Sequence, residues 1–176
     1  IRVLGQPVSN RPRFSTTFFP GLSTTPTANV PNFRNKTFSL TADVNIPASG
    51  AEGVLFSIGG RFGGFSFFIQ QNKLHFVYNY FGEKRFTVTS SDVIPRGDLK
   101  LKVEFENTGE NQGRASLYFN DRKVGEGEIP QTVPLTFGLS EGVTCGRDPA
   151  TPVSDSYRSP FTFTGLLRKV VMDVKP

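Results

Sequence analysis

The run DLKLKVEFEN, residues 98–107, decides the fold. Leu99, Leu101, Val103 and Phe105 fall on one side of an extended chain, and Lys100, Lys102, Glu104 and Glu106 on the other. Side chains alternate across a strand with a period of two, so this pattern predicts a half-buried antiparallel strand, apolar inward and charged outward. Working outward, residues 108–113 read as a polar turn containing glycine. Ala115, Leu117 and Phe119 then build the partner strand. Asn120-Asp121-Arg122 is a tight turn, and Val124 through Ile129 carries the chain back. On the other side, residues 37–47 repeat the alternation. Phe38, Leu40, Ala42, Val44 and Ile46 share one face, Ser39, Thr41, Asp43 and Asn45 the other, and Pro47 ends the strand.

Two further apolar runs, 53–60 and 65–70, flank Gly59-Gly60-Arg61-Phe62-Gly63-Gly64. Paired glycines reach backbone angles that other residues resist, so a turn or bulge is expected there. Gln71-Asn72-Lys73 forms a hairpin turn into 74–81. Leu74, Phe76, Tyr78 and Tyr80 lie on one face of that strand; His75, Val77, Asn79 and Phe81 lie on a mixed face. Gly82-Glu83-Lys84 turns the chain into a short strand over 85–90. More strands are expected at 134–139, 161–164 and 166–174, with 142–165 as a long connection. Residues 1–32, rich in Pro, Asn, Ser and Thr, read as an extended lead-in or linker with little regular structure. It is pinned by Phe18-Phe19-Pro20-Gly21 and packs on a domain spanning 33–176.

About ten to twelve short strands at roughly 8–12-residue spacing predict an all-β chain of two packed antiparallel sheets, a β-sandwich of the jelly-roll type. Composition agrees. Gly 18 and Pro 13 supply many turns, and with Phe 18, Tyr 4, Met 1 and no Trp, phenylalanine carries much of the core volume. The 176 residues suffice for one domain with a real core. The formal net charge of +5 and pI near 9.6 would favour anionic partners, yet the charges are scattered and alternate in sign. That excludes a nucleic-acid arm and describes a mixed polar surface. No apolar run approaches a membrane span, residues 1–7 do not form a signal peptide, and an initial Ile is expected of a piece of a longer chain.

Chemistry is sparse. A nucleophilic triad needs a base beside an activated Ser or Cys, and the one histidine, His75, lies on an apolar strand with no G-x-S-x-G elbow in the chain. One His and one Cys cannot close a zinc site, and Cys145 has no intrachain disulfide partner. Glu104 and Glu106 share a strand face about 6–7 Å apart, a usable carboxylate spacing for a glycanase. Lys100 and Lys102 on the same face make a solvated charged stripe the simpler account. Calcium would take oxygens from loop aspartates such as Asp148 and Asp155, against which stands Asp148 paired with an arginine or capping a turn; no cofactor is expected. Arg61, Phe62, Tyr80, Arg147, Asp148, Tyr157 and Arg158, on turns and strand ends, are the candidate ligand-binding residues. Aromatic platforms and guanidinium forks suit a sulfated or carboxylated sugar, and the alternative is local packing and pairing. Asn35-Lys36-Thr37 matches a glycosylation acceptor pattern that also arises by chance.

Several long runs resemble, in order, the C-terminal region of bacterial arylsulfatases. They are GVLF (53–56), GGRFGGFSFFIQQNKLHFVYNYFG (59–82), RFTVTSS (85–91), VEFE (103–106), LYFNDRKVGEGEI (117–129), TVPLTFGLSEG (132–142) and GRDPATPVSDSY (146–157) with SPFTFTG (159–165). The resemblance covers residues 18–174. It implies a concanavalin- or laminin-G-like β-sandwich appended to a sulfatase catalytic domain of the same polypeptide, and a periplasmic or secreted setting through that parent. Sulfatases of this type carry C/S-x-P-x-R, whereas Cys145 is followed by Gly146-Arg147-Asp148-Pro149. The resemblance therefore implies the accessory domain without its enzyme, either stabilising and docking on the catalytic domain or binding a sulfated or acidic glycan.

Overall fold

The computed structural model describes residues 14–21, 23–134 and 141–175. Among them eleven strands form two antiparallel sheets. In chain order these are β1 (Ser15–Phe18), β2 (Phe38–Ile46), β3 (Gly53–Gly60), β4 (Gly63–Gln70), β5 (Lys73–Tyr80), β6 (Lys84–Thr89), β7 (Gly97–Gly109), β8 (Gln112–Phe119), β9 (Arg122–Ile129), β10 (Val143–Cys145) and β11 (Leu166–Val174). The six-stranded sheet runs β1-β11-β2-β7-β8-β9, and the five-stranded sheet β10-β3-β4-β5-β6. The predicted two-sheet sandwich is the observed fold, with a single short 3-10 turn, Thr27–Asn29, among the described residues.

The decisive run forms β7, paired with β2 on one side and β8 on the other. Its inward residues meet those of β2 in register, Phe105 opposite Phe38, Val103 opposite Leu40 and Leu101 opposite Ala42. From the facing sheet come Phe56, Ile58, Phe65, Phe67, Leu74, Phe76 and Tyr78. Phe65 is the centre of this packing, with ring centroids 5.5 Å from Phe33, 5.3 Å from Phe38 and 5.6 Å from Phe76. Offset and edge-to-face aromatic pairs add to the area buried, which is how a chain without tryptophan fills its interior.

The hairpins close as their residues dictate. Gln71 and Asn72 both hold positive φ (52° and 59°) in the two-residue β4–β5 turn, the geometry that matches strand twist. Asn120 (φ 53°) does the same between β8 and β9.

Two expectations need correction, and the lead-in gains a detail: within it Ser15–Phe18 pairs with β11, and Phe18 enters the core 5.1 Å from Phe56. A four-residue strand at a sheet edge is specified by its partner more than by its own pattern. Residues 161–164 form no strand. Thr162 makes one parallel bridge to Val54, because this segment crosses over the five-stranded sheet and does not extend a ladder. Conversely β10, unexpected within a turn-rich stretch, pairs with β3. The strand expected at 134–139 falls almost wholly outside the described residues.

Candidate functional site

β3 and β4 are buried on both faces, save for the last residue of β4. The inner face meets the core; the outer face is covered by residues 146–163, which return over it as a strap. Val54, Phe68 and Val77 project outward and are capped by Tyr157 and Phe161. Tyr157 stands edge-on to Phe68 at 5.0 Å and stacks on Phe161 at 4.9 Å. Phe163 then turns through the sheet edge into the main core. The strap passes so close to Gly53 (φ 120°) that a Cβ there would sit 2.4 Å from the Phe163 Cα, which only glycine accommodates.

Polar groups lock the strap. Tyr157 donates its hydroxyl proton to Asp148 Oδ2 at 2.6 Å, and its oxygen lies 2.9 Å from Ser66 Oγ, placed to accept from it. The Val153 N–H donates to the same Asp148 oxygen at 3.1 Å. Beneath, Ser57 and Thr144 hydroxyls lie 2.8 Å apart, and Thr144 donates to the Arg147 carbonyl. Asp148 is only 2% exposed and meets no cation among the described residues. Burial raises its carboxyl pKa, opposed by the Tyr157 and Val153 bonds and reinforced by the Glu141 charge. Burial likewise pushes the Tyr157 phenol well above its ordinary value, with the Asp148 carboxylate adding to the rise.

A pH dependence follows from Asp148. Its folded pKa lies above the unfolded one, so its contribution to stability is full below the unfolded value and is lost as pH rises through the folded value. An asparagine side chain at this position would keep an oxygen to accept both bonds without a charge to bury. Asp148→Asn is therefore expected to unfold at higher denaturant than the parent at pH 7. The gap should close as pH falls below about 4, the unfolded aspartate range. Paired denaturation curves across pH check this.

The seven candidate residues separate into three places. Asp148 and Tyr157 are joined to each other inside the strap, 2% and 6% exposed. Arg61, Phe62 and Tyr80 gather at one end of the five-stranded sheet, where the β3–β4 turn meets the β5–β6 turn. Phe62 is 71% exposed, Tyr80 is half-buried against the core, and Phe81 beside it is 44% exposed. Arg147, just past β10, and Arg158, beyond the Ser156 carbonyl that accepts from Gln70, are exposed on the strap and away from that end. The guanidinium groups of Arg61, Arg147 and Arg158 make no ion pair among the described residues. Asp155 does pair, with Arg85 at 2.9 Å, so the two loop aspartates face different partners, and no three metal-ligating side chains cluster among the described residues.

Asn79 is the organiser that sequence reading passed over. It is fully buried and its amide donates to the carbonyls of Gly60, Arg61 and Val153, while its oxygen accepts from the Gly82 N–H. One side chain thus ties both turns to the strap. An asparagine inside the apolar run VYNYF was the available signal, since a buried amide persists only when hydrogen-bonded.

The remaining reactive types have local roles. His75 stacks flat on Phe68 at 5.0 Å; its Nε2 donates to the Gln70 carbonyl, leaving Nδ1 to accept from Thr89. Burial lowers its pKa, the Gln70 bond opposes this and Lys73 adds to it. Glu104 binds Lys102 at 2.7 Å, which holds its carboxyl below the ordinary range, the reverse of what a general acid needs. Cys145 is buried and its thiol is pushed up to about 12. It is expected to resist aromatic disulfide reagents in the native protein and to react at once in denaturant, checked by absorbance of the released thiolate.

No family model matches the chain, and no curated protein matches it. Solved structures do. Domains LG4-5 of the mouse laminin alpha1 chain align with a TM-score of 0.54 at 15% identity, covering 98% of this chain and 46% of that one, so the chain spans less than half of that structure. The heptameric SAP-like pentraxin of Limulus polyphemus gives 0.47 at 14% identity over 94% of this chain and 76% of its own. Sheep galectin-11 gives 0.46 at 10% over 90% and 95%. The arylsulfatase resemblance rests on sequence motifs alone. At such identities the laminin likeness is one of fold, and in fold the chain is a concanavalin- or laminin-G-like antiparallel β-sandwich.

Proposed function

We propose that this chain is a non-catalytic β-sandwich that serves a larger enzyme of the arylsulfatase kind, stabilising its catalytic domain and docking against it. One observation carries the reading. Within the motif 146–165, Asp148, Tyr157 and Phe163 are the residues that fasten the strap over the five-stranded sheet. What resembles the arylsulfatase C-terminal region in this chain is thus a scaffold, with Asp148 and Tyr157 used in folding. The direct experiment is to read the polypeptide upstream of Ile1 and express the two parts separately. A C/S-x-P-x-R sulfatase domain that co-purifies with this chain supports the proposal; an unrelated upstream sequence refutes it.

A second reading has its own observation. Arg61, whose guanidinium makes no ion pair among the described residues, stands beside the exposed ring of Phe62, with Tyr80 and Phe81 adjoining. A sulfate or carboxylate on a sugar would accept two parallel hydrogen bonds there while the ring stacks on Phe62. Titration with a chondroitin sulfate hexasaccharide should then give binding that weakens with salt and disappears in Arg61→Ala. Unchanged binding in that variant would remove this reading.

A further inference from the structure

A sheet edge presents unpaired backbone amides and carbonyls, and proteins guard such edges with cover, charge, proline or a bulge. Three of the edges here are guarded. β10 is covered by the chain ahead of it, where Thr25 and Val143 exchange backbone bonds of 2.9 and 2.8 Å. At the opposite rim β6 and β9 close on each other. Ser91, just past β6, donates its N–H to the Val124 carbonyl at 2.6 Å, and a Cβ on Gly125 would come 2.8 Å from the Thr89 carbonyl oxygen. Both strands are also charged, with Lys84 and Arg85 on β6 and Lys123, Glu126 and Glu128 on β9.

β1 is the exception. Its sequence STTF carries neither charge nor proline. The Val174 N–H donates to the Phe14 carbonyl at 2.7 Å, so by strand alternation Phe14, Thr16 and Phe18 bond towards β11. That leaves the amides and carbonyls of Ser15 and Thr17 on the outer edge, where they make no hydrogen bond among the described residues. Phe14 shares the parity of the buried Phe18, yet its ring is 41% exposed.

Such an edge is complementary to itself. Set antiparallel to a second copy with a twofold axis at Thr16, Ser15 faces Thr17 of the copy and Thr17 faces Ser15. Each of these pairs exchanges two backbone bonds. The pairs between them, in which side chains approach most closely, set Thr16 against Thr16 and the exposed Phe14 against Phe18, both favourable cross-strand combinations. The ladder uses the whole of Phe14 to Phe18, stops short of Pro20 and brings no like charges together. One strand thus supplies donors, acceptors and ring partners for both halves, which selects a second copy of this chain as its occupant.

We propose that β1 is a self-association edge, through which two copies join their six-stranded sheets into one continuous sheet. The contact is independent of the arylsulfatase reading. A ladder this short buries less than a standard interface of about 1,600 Å², so the dimer is weak and fills at high concentration. Because each copy uses up its open edge, association stops at the dimer.

The test is sedimentation equilibrium of the whole chain from about 10 μM to 1 mM, the range of weak complexes. A monomer–dimer equilibrium is expected, and amide exchange at Ser15 and Thr17 should slow as the dimer fills. About 0.5 M salt should leave it intact, since only contacts between charges are screened. Thr17→Pro removes an outward N–H and no bond to β11, so it should raise the dimer Kd about tenfold or more while urea unfolding of the dilute protein stays unchanged. Thr17→Ala, which keeps the backbone donor, should still dimerise. A monomer throughout the range overturns the proposal, as does a Thr17→Pro dimer as tight as the parent's. Association lost in salt also overturns it, by placing the contact on the charged outer face of the six-stranded sheet, which no described segment covers. Should Thr17→Pro fail to fold, the parent decides: Ser15 and Thr17 amides that exchange equally fast at low and high concentration refute the edge contact.

Discussion

Phe65→Ala is expected to destabilise the fold by about 3–5 kcal/mol, the range for removing a buried phenylalanine ring. The residue is fully buried where both sheets meet, and it touches Phe33 ahead of β2 and rings contributed by β2, β3 and β5. Those neighbours belong to separate segments, so they cannot collapse together into the cavity without shifting backbone. Phe62→Ala is the matched control: the ring is 71% exposed, and its loss should change stability by no more than about 0.5 kcal/mol. Urea unfolding of both variants, read at constant m, gives the comparison. Equal small effects would contradict the packing described here.

Tyr157→Ala should cost about 3–5 kcal/mol as well, through a different route. The substitution removes a ring that covers Phe68 and Phe161 and strips Asp148 of its phenolic donor. A buried carboxyl left short of a partner carries a desolvation penalty of about 1–3 kcal/mol, which Tyr157→Phe isolates. The alanine variant should also free the strap, giving early proteolysis within residues 146–163 and uncovering Val54, Phe68 and Val77 to a hydrophobic dye. A variant of parental stability and protease resistance would mean that the strap does not depend on Tyr157.

Much of the fold was legible because alternation is unambiguous where one strand face is wet. β2 and β7 have that pattern, and their predicted spans lie within a few residues of the observed ones. Short strands such as β1 and β10 carry too few residues for a pattern, and their partners β11 and β3 define them. The strap was the larger loss. Asp148 and Tyr157 read as surface groups because polar residues in a Pro- and Ser-rich segment usually are. The contrary signal lay elsewhere, in β3 and β4: runs apolar on both faces belong to a sheet covered on both sides. Ser57 and Ser66 break those runs, and Asn79 breaks β5, at the points where the strap and turns need hydrogen bonds. For the open sheet the charged stripe was visible in Lys100 to Glu106, but its neighbours Ser39, Ser116 and Asp173 come from distant segments that only register brings together.

The central claim is that the stretch most suggestive of chemistry is a structural strap fastened by Asp148 and Tyr157. A double-mutant cycle with Asp148→Ala and Tyr157→Phe, followed by urea unfolding at pH 7, measures that fastening directly. The geometry predicts a coupling of about 1–3 kcal/mol between the two side chains. Strictly additive losses, with coupling near zero, would contradict it.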